Sequence, residues 1–184
     1  MDFMQEKILL KIVKESIEEE LYGKKLDKNL YLSLYPELKT KRATFVTINK
    51  RGSLRGCIGS LVPYQSLFED LVKNAKSAAF GDPRFPPLSR EEYESGELEI
   101  EISLLSIPKP LEYKDTDDLK SKITKKHGVI LSLNGHRATF LPQVWEQIES
   151  FEEFFAHLCL KAGLEVNCLK NHPDIEIYEV EKIK

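Results

Sequence analysis

The sequence predicts an α+β protein in which a mainly antiparallel central sheet is flanked by helices. Two pairs of short segments are joined by turn residues, one run alternates apolar with charged residues, and several helical segments begin with capping residues. Hairpins outnumber strand–helix–strand units, so an antiparallel sheet is favoured over a doubly wound parallel one.

Helices are predicted where apolar residues recur every three or four positions and a glycine follows. The first two dozen residues show this pattern and end at Gly23. Ser66 and Ser150 are each followed three residues later by a glutamate, a capping box that opens a helix. The predicted helices are the first two dozen residues, 66–81, a short turn after Ser89, 117–126 and 150–163.

Strands are predicted where side chains alternate or where turn residues join two short segments. Residues 98–104 alternate apolar with polar side chains, which is typical of a strand with one buried face. Asn134-Gly135 supplies the two positive-φ residues of a tight hairpin turn. The predicted antiparallel pairs are 42–49 with 54–60 and 129–133 with 137–141, and a last strand covers 175–180.

Length and charge restrict the classes of protein. The 184 residues predict a single domain, 1–184, with room for a second lobe. The 27 basic against 30 acidic residues give a net charge of −3, so we expect no specific nucleic-acid partner. No apolar run is long enough to span a bilayer, and three cysteines without metal-site spacing favour reduced thiols, so we expect a cytoplasmic protein without a membrane partner.

The segment 54–60 has two glycines inside a predicted strand, which indicates that something approaches its backbone closely. Alternation places Leu54 and Ile58 toward the core and Arg55 with Cys57 on the other face. A cation beside a thiol favours the nucleophilic thiolate, so this pair is a candidate catalytic unit. The alternative is that Cys57 is a small buried apolar side chain and the glycines form a bulge.

Two further segments carry candidate polar groups. Asp82 and Arg84 stand in a proline-stiffened loop after a helix, where they either contact a substrate or clamp the loop. His136 follows the Asn134-Gly135 turn, where it acts on a neighbouring site or is simply solvated. No residue set has the spacing of a zinc site and no phosphate-binding or dinucleotide loop is found, so we expect no metal and no cofactor.

Four segments together resemble a known family. They are 54–60 (LRGCIGS), 78–88 (AAFGDPRFPPL), 101–106 (EISLLS) and 139–146 (TFLPQVWE). In this order they are similar to the AMMECR family, system protein A of the AmmeMemoRadiSam set. Ser60 stands where many members have threonine, and it keeps the hydroxyl. The resemblance implies a two-lobed α+β fold with the cysteine motif near a cleft, and radical-SAM and Memo-like partners.

The leading hypothesis is an enzyme or enzyme subunit in which Cys57 attacks an electrophilic centre of a small-molecule or modified-protein substrate. Arg55 favours the thiolate or orients an anionic substrate, the glycines admit it, and Asp82 or His136 handles protons. The alternatives are a non-catalytic binder, a protein-interaction scaffold and a nucleic-acid module. The candidate substrate-binding residues are Arg55, Gly56, Gly59, Ser60, Asp82, Arg84 and His136.

Overall fold

The computed structural model describes residues 3–184, so the first two residues of the predicted N-terminal helix lie outside it. The helices are α1 (Phe3–Tyr22), α2 (Lys28–Leu34), α3 (Leu67–Phe80), α4 (Arg90–Glu94), α5 (Thr116–Lys122) and α6 (Phe151–Lys161). The strands are β1 (Thr44–Lys50), β2 (Ser53–Gly59), β3 (Leu98–Leu105), β4 (Lys109–Pro110), β5 (Gly128–Leu133), β6 (His136–Phe140), β7 (Asp174–Tyr178) and β8 (Val180–Ile183).

The α+β class is confirmed, and the strands form two sheets instead of one central sheet. Their orders are β2-β1-β3-β8 and β4-β7-β5-β6. The chain divides into two compact units: the described residues up to Leu105 with Glu181–Lys184, and Ser106–Val180. Within residues 3–184, no helix combines the length and the apolar character that crossing a membrane requires.

In the first unit, α1 and α3 pack on the sheet and enclose an apolar core. α3 begins with the predicted capping box, in which Ser66 accepts a hydrogen bond from the Glu69 amide and Glu69 reaches back. Gly23, with φ of +72°, follows α1 as expected. Fully buried members of the core include Ile12, Val46, Leu71 and Ile102.

Both predicted hairpins are confirmed as antiparallel pairs, and they belong to different sheets. β1 pairs with β2 in the first unit, and β5 pairs with β6 in the second. Asn134 and Gly135 have φ of +50° and +83°, as the turn prediction requires. Each hairpin is extended into a sheet by strands from elsewhere in the chain. The sequence of the hairpin alone therefore did not determine which sheet it joins.

Two sequence predictions about elements of the chain are wrong. The helix predicted over 117–126 ends at Lys122, since Ile123 adopts extended backbone and Gly128 already opens β5. The single strand predicted over 175–180 is two strands, because β7 pairs with β5 whereas β8 lies beside β3.

The prediction of three reduced thiols is also wrong. Cys159 at the end of α6 forms a disulfide with Cys168, with the two Cα atoms 5.8 Å apart. Both cysteines are buried in the core of the second unit, beside Phe154 and Leu158. The prediction relied on the number and spacing of the cysteines in the sequence. The bridge depends instead on the path of the chain after α6, which brings Cys168 close to Cys159.

Candidate functional site

The candidate site lies on β2, which forms one edge of the first sheet. The register of β1 against β2 shifts between Ile48 and Asn49, because Ile48 pairs with Gly56 whereas Asn49 pairs with Leu54. Arg55 is therefore the extra residue of a β-bulge. A bulge shifts the alternation of side chains by one residue. Odd-numbered residues of β2 therefore face one side of the sheet before Arg55 and the other side after it.

The bulge places Cys57 on the face of the sheet away from the helices. Cys57 pairs with Thr47, whose neighbours Val46 and Ile48 are both buried in the core below α3. Paired residues share a face, so the side chains of Cys57 and Thr47 lie on the opposite, partly exposed face. The Cys57 Sγ lies 3.2 Å from the Thr47 Oγ1, a hydrogen bond in which either atom can donate.

Asp82 and Arg84 bind the outer edge of β2 at Cys57. The Cys57 amide donates to Asp82 Oδ2 at 2.9 Å, and Arg84 Nη2 donates to the Cys57 carbonyl at 3.2 Å. A strand at a sheet edge has backbone groups that need partners, and the loop supplies them with a carboxylate and a guanidinium. Within the chain, Asp82 and Arg84 therefore make the contacts of a clamp that holds the loop, which is the structural alternative that the sequence offered for them.

The Asp82 carboxylate is buried, with 2% of its side chain exposed, and both oxygens accept hydrogen bonds. Arg84 donates to it through Nε at 2.9 Å and Nη2 at 2.7 Å. These bonds from Arg84, with those from the Cys57 and Arg84 amides, hold the pKa of Asp82 well below its usual range despite burial. A carboxylate of this kind is a weak proton acceptor, so Asp82 is better suited to holding the loop than to handling protons.

Arg84 is the cation near Cys57. Its side chain is 53% exposed, and its pKa is raised, first by the hydrogen bond to Asp82 and also by the charges of Asp82 and Cys57. The Phe85 ring lies 5.6 Å from the guanidinium carbon of Arg84 and 5.8 Å from that of Arg55. The contacts of this ring with both guanidinium groups help to hold the loop against β2.

Arg55 makes its hydrogen bonds to other groups. It is buried, and it donates to both oxygens of Glu92 at 2.9 Å and to the Pro86 carbonyl at 2.8 Å. With Lys50, it lowers the pKa of Glu92. Leu54 is 43% exposed, so the expectation that it faces the core is wrong, whereas Ile58 packs on the core as expected. The bulge at Arg55 is the reason, since the alternation prediction assumed a regular strand.

The two glycines of the motif are approached by the chain itself. A Cβ on Gly56 would lie 2.1 Å from the Ala78 carbonyl oxygen of α3, and one on Gly59 would lie 2.2 Å from the Phe45 ring. Both positions therefore exclude a side chain for packing reasons. The role of these glycines in admitting a substrate stays a prediction.

Ser60 joins a buried polar network that the sequence did not predict. Asp70 of α3 accepts hydrogen bonds from the Thr44 amide and hydroxyl, both at 2.7 Å, and from Asn74 at 2.9 Å. Asn74 also donates to the Ser60 hydroxyl at 3.3 Å. The network attaches α3 to β1 and to the end of the cysteine motif.

His136 belongs to the second unit, where it opens β6. Its Nδ1 lies 3.0 Å from the carbonyl oxygen of Ala162, the residue that ends α6. A carbonyl only accepts, so Nδ1 carries the hydrogen in this contact, and His136 satisfies one of the free carbonyls at the helix end. Its expected part in proton handling stays a prediction.

Thr47 is the functional candidate that sequence reasoning missed. The pattern of residues 42–49 placed it in a strand, but nothing in the sequence paired it with Cys57. Across residues 3–184, no three His, Cys, Asp or Glu side chains are grouped as a metal site. Three cavities of about 470, 250 and 460 Å³ in the first unit are lined by residues other than Cys57.

A family model described as AMMECR1 matches residues 10–183. The chain belongs to the AMMECR1 family. A relative from Methanothermobacter thermautotrophicus is 39% identical over 181 residues, which cover 94% of this chain and 89% of the relative. One from Methanopyrus kandleri is 43% identical over 152 residues, covering 78% and 70%. The crystal structure of an uncharacterised protein from Pyrococcus horikoshii has a TM-score of 0.72 and 32% identity, over 95% and 88% of the two chains.

The AMMECR1 match runs through both compact units and confirms the resemblance drawn from four sequence segments. The names of these AMMECR1-family relatives state no activity.

Proposed function

We propose that this AMMECR1-family protein is an enzyme or enzyme subunit that uses the Cys57 thiol on a small-molecule or modified-protein substrate. The observation that carries the proposal is the setting of Cys57. It is a free, partly exposed thiol, whereas the other two cysteines are joined in a disulfide. Its side chain meets the Thr47 hydroxyl and its backbone is held on the outer edge by Asp82 and Arg84. A fixed, accessible thiol is what nucleophilic catalysis needs.

In this proposal Cys57 attacks an electrophilic centre or holds an intermediate. Thr47 orients the sulfur through their hydrogen bond, and Arg84 places a positive charge near the developing thiolate. Asp82 keeps Arg84 in position. The cation role expected of Arg55 passes to Arg84, because the guanidinium of Arg55 is bound to Glu92 and Pro86.

Partners and compartment are proposed on the family resemblance of the four segments. We propose that the protein acts in the cytoplasm together with radical-SAM and Memo-like proteins. The sequence analysis also expected a cytoplasmic protein because its cysteines were expected to be reduced. The Cys159–Cys168 disulfide removes that reason, so the proposed compartment depends on the proposed partners alone.

A second candidate function is a non-catalytic ligand-binding or protein-interaction scaffold. The packing of Gly56 against Ala78 and of Gly59 against Phe45 favours it, because it explains both glycines without a substrate. The network around Asp70 likewise accounts for Ser60. In this alternative Cys57 is an unreactive half-buried side chain.

Alkylation of Cys57 by iodoacetamide separates the two functions. The bridged cysteines are silent, so labelling mapped by mass spectrometry reports Cys57 alone, and the unfolded chain with its disulfide intact is the reference. For the enzyme we expect Cys57 to be labelled faster in the folded chain than in the unfolded chain at neutral pH. Thr47→Val keeps the shape and removes the hydroxyl, so its labelling rate should move toward that of the unfolded chain.

Cys57→Ser is expected to abolish complementation of a strain that lacks the gene while leaving the free energy of unfolding within about 1 kcal/mol of the parent. The thiol lies on a partly exposed face, so the serine hydroxyl keeps access to Thr47 and water. Ordinary labelling of the folded chain favours the scaffold. A loss of about 1 to 3 kcal/mol with activity retained would make Cys57 structural.

A further inference from the structure

Arg84 has hydrogen-bond donors to spare beside Cys57. A guanidinium carries five N–H groups. In Arg84 the Nε donor and one Nη2 donor bind Asp82, and Nη2 also binds the Cys57 carbonyl. The two N–H groups of Nη1 have no partner among the described residues.

The unused donors are fixed in direction. Three hydrogen bonds hold the guanidinium plane, and the Phe85 ring lies 5.6 Å from its central carbon. Guanidinium groups held in this way recognise the oxygens of carboxylates and phosphates, because binding then costs little side-chain entropy. The side chain remains 53% exposed, so an incoming anion can reach it.

The charges around Arg84 permit an anion here. The buried Asp82 is neutralised by Arg84 itself and by two backbone amides. Glu92 is bound by Lys50 and by Arg55, whose guanidinium also lies near the Phe85 ring. Both carboxylates are thus already paired, and the Nη1 donors have no acceptor in the described part of the chain.

We propose that the substrate of Cys57 carries an oxyanion, a carboxylate or a phosphate, that binds Nη1 of Arg84 while its reactive centre meets the thiol. The inference rests on the proposed function and names the substrate class for the same site. The Arg84 guanidinium donates to the Cys57 carbonyl at 3.2 Å, so an anion bound to it lies beside the nucleophilic residue.

Two alkylating agents of nearly equal size test this directly. Iodoacetate carries a carboxylate and iodoacetamide does not, and both react with the same thiolate. The ratio of their rate constants therefore cancels the fraction of thiolate and reports only the preference for an anion. We expect the ratio at Cys57 in the folded protein to exceed that of the unfolded chain about fivefold, as one favourable charge contact gives.

Variants then assign the preference to Arg84. Arg84→Gln should return the ratio to within about twofold of the unfolded chain, and the exposed Arg51→Gln, which removes the same charge elsewhere, should leave it unchanged. Asp82→Asn keeps one acceptor oxygen and removes the negative charge that offsets Arg84. The ratio should rise, because the loss of that charge outweighs the hydrogen bond that the guanidinium loses. This opposite change keeps the test decisive if Arg84→Gln fails to fold.

Acetate and inorganic phosphate, added as competitors of iodoacetate, identify the preferred oxyanion by the concentration that halves labelling. An equal ratio in folded and unfolded protein, or a ratio that ignores both Arg84→Gln and Asp82→Asn, overturns the proposal. Such a result leaves the reactivity of Cys57 toward iodoacetamide, and hence the proposed function, standing. Slow labelling by both agents would remove the proposed function instead.

Discussion

Single residues of the cysteine motif, 54–60, contact residues that are distant in the sequence, and these contacts affect the free energy of unfolding. Asp82 accepts hydrogen bonds from the Cys57 amide and from Arg84, and its pKa is lowered by them. Gly56 lies directly against the Ala78 carbonyl oxygen. Each of these contacts predicts a measurable change in stability.

Asp82→Asn should destabilise the protein at neutral pH, and the difference from the parent should shrink in acid. The pKa of folded Asp82 lies below the unfolded value of about 3.9, so its contribution is fully present above that pH. It is lost progressively as the pH falls from the unfolded pKa through the folded one, because below both values the carboxyl is protonated in both states. Urea unfolding from pH 7 down to pH 2.5 measures the difference.

The matched control for this pH series is Asp117→Asn, the same chemical change at an exposed position. A stability difference for Asp82→Asn that is the same at pH 7 and pH 3 would show that its charge contributes nothing.

Gly56→Ala should lower the free energy of unfolding by about 1 to 3 kcal/mol, since the new methyl group meets backbone that cannot move without shifting α3. Gly81→Ala is the matched control, because its nearest neighbour would be 3.3 Å away and its φ is negative. Chemical denaturation compares the two. Equal effects would mean that α3 and β2 separate easily.

Secondary-structure elements of the second unit are joined by a covalent bridge. The Cys159–Cys168 disulfide links the end of α6 to the short helix Cys168–Asn171, with a separation of nine residues. The bridge restricts the unfolded chain and holds the segment after α6 against the core.

The double variant Cys159→Ala/Cys168→Ala should be less stable by about 2 to 3 kcal/mol, the loop-closure value for a bridge of this span. Denaturation of the parent protein with and without a phosphine reductant checks the result independently. Both routes should agree, because both remove the same constraint. Unchanged stability on reduction would contradict the structure of this segment.

The whole molecule carries a net charge of −3, and basic residues of the first hairpin are paired with acids. Lys50 and Arg55 bind Glu92, and Arg51 binds Glu97. A surface whose cations are matched by acids has little net positive field for a nucleic-acid backbone, so the charge pattern argues against a nucleic-acid module.

We expect only weak DNA and RNA binding that falls steeply with salt and is equal for any sequence. Fluorescence anisotropy with one duplex and a scrambled version, at low and at physiological salt, measures both properties. Tight binding to one of the two at physiological salt would restore the nucleic-acid hypothesis.

The sequence by itself determined the α+β class, the capped start of α3 and the Asn134-Gly135 hairpin. These depend on local chemistry, namely capping side chains, alternation and positive-φ turn residues. The same local reasoning failed where a residue's setting depends on distant groups, as in the Cys159–Cys168 bridge.

The sequence already placed Cys57 on the face opposite Ile58, and only the tertiary structure decided its pairing with Thr47 and the exposure of Leu54. Counted without interruption from the pair Lys50 and Ser53, the register would place Cys57 opposite Val46, inside the core. The bulge at Arg55 moves the pairing by one residue and brings the thiol beside Thr47 instead. Arg55 is held there by Glu92 and Pro86, which lie 37 and 31 positions away along the chain. Contacts at that separation form only when the chain has folded, so no local pattern of residues encodes them.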